Sequence, residues 1–203
     1  MKLICIGLNY YDHASEMNRD IPAEPLVFMK PDSSLVKNNK PFFIPEFSSE
    51  IHYEAELVIS ICRVGRSIAP RFAHRYFDKI TVGIDFTARD LQRKQSAAGL
   101  PWEIAKGFDG SAQLGQLLDI KDIENTEDIK FCLDKNGSRV QEGFSSNMIF
   151  GFSEIISYVS RFFTLKTGDL IFTGTPAGVG AVKKDDRLTA YLENHKVLDF
   201  YVK

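Results

Sequence analysis

Short apolar or alternating runs bounded by turn residues dominate the chain, and each reads as a strand. They are "KLICIGL" near the start, "PLVFMKP" between prolines, "ITVGIDFT", "GDLIFTG", "DRLTAYLE" and "KVLDFYVK". The stretch "IHYEAELVISICRVG", beginning at Ile51, reads as one long strand. "DIKFCLDKNGSRVQEG" reads as a hairpin turned at Asn136–Gly137, because an Asn-Gly pair supplies the left-handed dihedrals of a two-residue turn. Helical spacing is rarer. "YYDHASEMNRDIP" predicts a short helix stopping before Pro22, and "ARDLQRKQSAA" one ended by Gly99 and Pro101. In "APRFAHRYFDKI" the apolar positions Phe72, Ala73, Tyr76, Phe77 and Ile80 follow a helical period. "SSNMIFGFSEIISYVSRFF" predicts an amphipathic helix with Ile149, Phe152, Ile156, Val159 and Phe163 on one face. "DSSLVKNNKPFFIPEFSSE" is polar and broken by prolines, so loop and short strands are expected there.

Strands outnumber helices and do not alternate regularly with them. That pattern predicts an α+β fold with mixed sheets rather than a doubly wound parallel sheet. No repeat or linker interrupts the chain, so one domain over residues 1–203 is expected.

Charge and cysteine usage narrow the partners. A net charge of −2 with no basic arm argues against nucleic acid and anionic membrane surfaces. The amino-terminal apolar run is too short for a signal sequence, and no apolar stretch is long enough to span a bilayer. Cys5, Cys62 and Cys132 are scattered in apolar runs without metal-ligand spacing. They are expected to be buried free thiols in a reducing, cytoplasmic compartment.

Chemistry is concentrated in a few acids. Glu54 and Glu56 stand two apart in an apolar strand, so they share a face. Asp85 sits in the apolar strand "VGIDFTARD". If the two strands are neighbours, three carboxylates converge, and they could not all stay ionised without a cation. All-oxygen ligation favours Mg²⁺, Mn²⁺ or Ca²⁺. Taken alone, Glu-x-Glu fits a solvated strand face better. His52 shares that face and is expected beside the site rather than on the metal. His13 and Glu16 stand three apart on a predicted helix, where a carboxylate can hold an imidazole as a general base. The pair equally fits an ordinary surface contact. Lys106, in "PWEIAKGFDG", could stabilise an anion or snorkel to solvent. Arg89 and Gln92 could share the inward face of their helix. The Gly174–Thr175 turn in "LKTGDLIFTGTPAGVG" could donate backbone N–H groups to an anion, or could simply end a strand.

Taken together and in order, "GLNYYDHASE", "VFMKP", "HYEAEL", "GIDFTARDLQ", "GLPWEIAKGFDG", "NGSRVQEG", "MIFGFSEIISYVS" and "LKTGDLIFTGTPAGVG" resemble the fumarylacetoacetate hydrolase superfamily. The resemblance runs from Gly7 to about Gly180 and is nearest the short branch of acylpyruvate hydrolases and oxaloacetate decarboxylases. It implies a mixed β-sheet roll with short peripheral helices, and usually a homodimer. It also implies roles. Glu54, Glu56 and Asp85 would hold Mg²⁺ or Mn²⁺, with Ca²⁺ as a substitute. His13 and Glu16 would activate water, and Lys106 would be the active-site lysine. Arg89, Gln92 and Thr175 would line the site of a small 2-oxo acid. The implied reaction is hydrolysis of a C–C bond in a short 2,4-dioxo acid. Oxaloacetate decarboxylation, oxaloacetate tautomerisation and isomerisation or decarboxylation of 2-hydroxyhepta-2,4-diene-1,7-dioate are alternatives. A reading of another class is a metal-dependent 2-oxo acid binding protein without catalysis.

Overall fold

The computed structural model describes residues 1–203. In chain order the strands are β1 (Leu3–Gly7), β2 (Leu26–Lys30), β3 (Leu35–Val36), β4 (Ile51–Tyr53), β5 (Ala55–Ile61), β6 (Phe77–Asp85), β7 (Thr87–Ala88) and β8 (Ala112–Leu114). They continue with β9 (Leu118–Asp119), β10 (Lys130–Lys135), β11 (Ser138–Phe144), β12 (Leu170–Phe172), β13 (Gly180–Ala181), β14 (Arg187–Leu192) and β15 (His195–Tyr201). The helices are α1 (Tyr11–Glu16), α2 (Arg89–Ala97), α3 (Glu103–Lys106) and α4 (Phe152–Phe162).

The main sheet runs β2-β1-β12-β5-β6-β8-β3, with β9 on the edge of β6. It is mixed, because β1–β12 and β3–β8 pair in parallel and the others antiparallel. A second sheet runs β11-β10-β14-β15 and a small third one β13-β4-β7. Ile, Val, Leu and Phe side chains from the main and second sheets and α4 share one core of 34 buried residues. Strands with few short helices make this the α+β fold with mixed sheets that the pattern predicts and the mixed roll that the resemblance implies.

Two elements differ from the sequence reading. The stretch from Ile51 is not one strand. It breaks at Glu54, where β4, paired with β7 and β13, hands over to β5, paired with β6 and β12. The Glu54 carbonyl still accepts the Asp85 N–H at 2.8 Å, so the break is tied to the end of β6. The helix expected from Phe72 to Ile80 is also absent. Pro70–Arg75 form a 3-10 turn, and Phe77 and Ile80 belong to β6. Pro70 suits the first turn of such a segment, while the β-branched run beyond it gains more from the β5 ladder than from an isolated helix. Helix α1 ends at Glu16, well before Pro22, and α4 begins at Phe152, leaving Ile149 outside it. Cys5 and Cys132 are buried and Cys62 is partly exposed; all three are free thiols.

Candidate active site

The break at Glu54 and the last residue of β6 create the site. Ala55 faces Ile84 and Glu56 faces Gly83 across the β5–β6 ladder. The carboxylate oxygens of Glu54, Glu56 and Asp85 lie within 4.8 Å of one another, and all three residues are buried. The two strands, whose adjacency the spacing left open, are neighbours, and the paired glutamates converge although the strand between them is interrupted.

Three cations surround the triad. Lys106, at the end of α3, places Nζ 2.7 Å from Glu54 Oε2 and 2.8 Å from Asp85 Oδ2. It is buried and does not snorkel; its ammonium also lies 5.1 Å from the centroid of the Phe28 ring. Arg89, first residue of α2, is buried and donates to Glu54 Oε1 and Gln92 Oε1. Lys30, the last residue of β2, reaches within 2.7 Å of Asp85 Oδ1 with its side chain fully buried. Nothing in the sequence reading assigned a role to Lys30. The available signal was a charge closing an apolar strand in "VFMKP".

The environments of the glutamates differ. Burial opposes ionisation of Glu54, but Lys106 and Arg89 outweigh it and hold its carboxyl well below the usual range. Burial, Asp85 and Glu54 push Glu56 well above it. No lysine or arginine pairs with Glu56; its Oε2 takes a 2.8 Å hydrogen bond from the Gly174 N–H. Gly174 has φ +100, and a Cβ there would lie 2.6 Å from the Asn9 Cβ, so only glycine turns the chain this closely past the site. The turn does donate to a carboxylate, and that carboxylate is the protein's own.

This donor set fits a divalent cation. The ligand atoms are hard carboxylate oxygens, Glu56 lacks a cationic partner, and buried Asp85 Oδ1 accepts no hydrogen bond despite its contact with Lys30. Because a cation favours the ionised form of Glu56, metal binding should release protons and tighten as pH rises toward the raised carboxyl pKa. Calorimetry with Mg²⁺ in buffers of different ionisation enthalpy checks this; heat independent of the buffer would contradict it.

His13 lies on α1, buried against the same cavity, with Nδ1 3.2 Å from Glu16 Oε2. Glu16 also accepts the Gly178 N–H at 3.2 Å, so the carboxylate is anchored from two sides. With Nδ1–H donated to Glu16, Nε2 carries the free lone pair. Thr175 is buried and its Oγ1 accepts from Gln141 Nε2 at 2.9 Å, which leaves the hydroxyl proton available. Gln141 Oε1 in turn accepts the Ala55 N–H at 2.9 Å, a link not visible in the sequence. His52 lies next to the site: Nε2 is 2.9 Å from Glu50 Oε1, and Arg89 Nε donates to Nδ1 at 3.5 Å. Burial and then Arg89 lower the His52 pKa.

Glu54, Glu56, Asp85, His13, Lys106, Arg89, Gln92 and Thr175 all line one cleft of about 140 Å³. That is small beside the roughly 300–1,000 Å³ of drug-sized pockets, so the cleft suits a compact ligand. Its outer wall is apolar, with Phe28 and Trp102 edge to face at 5.9 Å. Arg19 and Arg93 stand among its lining residues.

The chain is similar to known proteins over nearly its whole length. The family profile described as "Fumarylacetoacetate (FAA) hydrolase C-terminal" matches residues 2–202. The chain is 37% identical over 201 residues to the bovine (Bos taurus) mitochondrial oxaloacetate tautomerase FAHD1, covering 99% of this chain and 90% of that one. Among solved structures, fumarylpyruvate hydrolase from Pseudomonas aeruginosa, in complex with Mn²⁺ and pyruvate, superposes with a TM-score of 0.92. The two are 34% identical, and the match covers 100% of this chain and 90% of the other. A 2-hydroxyhepta-2,4-diene-1,7-dioate isomerase from Mycobacterium marinum gives a TM-score of 0.86 at 33% identity, covering 99% and 73%.

Proposed function

The chain belongs to the fumarylacetoacetate hydrolase family and is an enzyme, and from that premise we propose that it hydrolyses a C–C bond in a short acylpyruvate-type 2,4-dioxo acid, with Mg²⁺ on Glu54, Glu56 and Asp85. The observation that carries this reading is His13, held by Glu16, in the same cleft as the acidic triad. A binding protein needs the triad but has no use for an oriented base.

Charge balance supports an anionic substrate. With all three carboxylates ionised, Lys30, Lys106 and Arg89 already balance them. A divalent ion leaves its own double charge over, which the carboxylate of a 2-oxo acid offsets in part. When bound on Glu54, Glu56 and Asp85, the ion would supply Lewis acidity to a 2-oxo acid. Arg89, Gln92 and Thr175 hold the substrate by donated hydrogen bonds. His13 Nε2 takes a proton from water, and the hydroxide adds to the distal carbonyl carbon. Lys106 neutralises the oxyanion. The C–C bond then breaks with its electron pair passing to C3 of the pyruvate half, and a proton returns there. One water is consumed, giving a carboxylic acid and pyruvate.

A second reading, oxaloacetate tautomerisation, is favoured by the bovine relative, whose name states that activity. It uses the same base to carry a proton between C3 and the oxygen, without attack by water. Decarboxylation of oxaloacetate and isomerisation of a longer dioic acid would likewise place an electron pair on C3 of the 2-oxo acid as its enolate. We place the enzyme in the cytoplasm as a homodimer. The free thiols fit a reducing compartment.

A side-by-side assay with Mg²⁺ separates these readings. Acetylpyruvate, fumarylpyruvate, and keto and enol oxaloacetate are compared by kcat/KM. The hydrolase reading expects the largest value for an acylpyruvate and loss of turnover in EDTA. Turnover of oxaloacetate tautomers alone would transfer the assignment to the second reading, and full activity in EDTA would remove the metal from both.

A further inference from the structure

We propose that Lys30 is a positioning residue that fixes Asp85 and Lys106 relative to each other, and so sets the geometry of the metal and substrate site; this rests on the metal reading given above. A fully buried ammonium is costly unless its charge and protons are all satisfied. Lys30 has the contacts to meet that cost, and each one falls on the site's own framework. Its Nζ is 2.7 Å from Asp85 Oδ1. It donates to the carbonyl of Phe86, the next residue, at 3.4 Å, and to the carbonyl of Lys106. It also donates to Ser111 O at 3.3 Å and Ser111 Oγ at 3.0 Å. Ser111 Oγ donates onward to the Lys106 carbonyl at 2.8 Å.

One ammonium therefore gathers the end of β6, the end of α3 and the approach to β8. Lys106 and Lys30 bracket Asp85 from its two oxygens, but they face different ways. Lys106 lines the cleft, whereas Lys30 does not and lies behind the carboxylate. Lys30 thus touches neither substrate nor solvent. What it controls is where Asp85 Oδ1 stands and where the Lys106 backbone begins its reach. Partners behind a first ligand orient it, and their loss typically costs about 10–100-fold in metal affinity.

The test is Mn²⁺ binding by calorimetry to wild type, Lys30→Met, Asp85→Asn and the double variant, with thermal melts of the metal-free proteins alongside. Lys30→Met should weaken Mn²⁺ binding by about 10–100-fold and broaden the Mn²⁺ electron paramagnetic resonance signal. In the Asp85→Asn background the same change should weaken it no further, because the carboxylate that Lys30 orients is gone. A lysine that merely stabilises the fold would lower affinity equally in both backgrounds, and that result would overturn the proposal. Unchanged affinity in Lys30→Met would overturn it too. A wild type that binds no Mn²⁺ would sink the metal reading itself, and this inference with it. Should Lys30→Met not fold, Ser111→Ala keeps the charge and removes one link. It should weaken Mn²⁺ binding by about fivefold, the worth of one ordinary hydrogen bond; unaltered affinity there counts against the proposal.

Discussion

Glu56→Ala should weaken Mg²⁺ or Mn²⁺ binding by more than about 100-fold, beyond the usual cost of losing an outer partner, while the protein still folds. The asymmetry of the triad is the reason. Removing Glu54 would leave Arg89 without its carboxylate, and removing Asp85 would leave Lys30 without its own, each inside the protein, while Lys106 would lose one of its two partners in either case. A buried charge left without its partner costs several kcal/mol, of order 3–5. Glu56 has no cationic partner to abandon; its substitution orphans only the Gly174 N–H. It also removes a like charge from beside Asp85 and Glu54, which burial and those two acids already make hard to ionise. Metal affinity should therefore collapse with little change in the melting temperature of the metal-free protein. Calorimetric titration beside a thermal melt measures both, and wild-type affinity in this variant would end the metal assignment.

His13→Ala should lower kcat/KM for the acylpyruvate by about 10²–10⁴-fold, the usual contribution of a positioned general base, with metal affinity changed by less than a factor of about three. His13 is tied to Glu16 and contacts none of the three carboxylates by hydrogen bond. Its loss should therefore fall on proton transfer and not on the triad. Substrate affinity should fall far less than kcat, because the imidazole acts in the transition state and binds the ground state weakly. Turnover at the wild-type rate in this variant would falsify the dyad role. Loss of metal binding together with turnover would show instead that α1 packs as part of the metal site.

Much of the site was legible because its members sit where local rules speak. Glu54 and Glu56 share a face by strand alternation, and His13 and Glu16 touch because three residues on a helix nearly close a turn. The ordered motifs then joined these fragments into one family. The features that were not legible all depend on contacts distant in sequence. The helix expected from Phe72 to Ile80 failed because a helical period over so short a run is weak, and pairing with β5 decided those residues. The break at Glu54 was invisible because an apolar strand reads the same whether it stays in one sheet or changes sheets.

By itself, then, the amino-acid sequence determined the α+β class, the Asn136–Gly137 hairpin, the helix after Asp85, and the identity of the acids, the histidine and the lysine that meet in the cleft. Each of these follows from spacing within a few residues or from motifs held in order. Only the tertiary structure decided that Lys106 is buried between two carboxylates, that Glu56 alone lacks a cation, that Gly174 donates to that glutamate, and that Lys30 stands behind Asp85. These are relations among residues 21 to 118 positions apart. Burial and charge pairing arise when strands meet, and no local period encodes which strand a side chain will face.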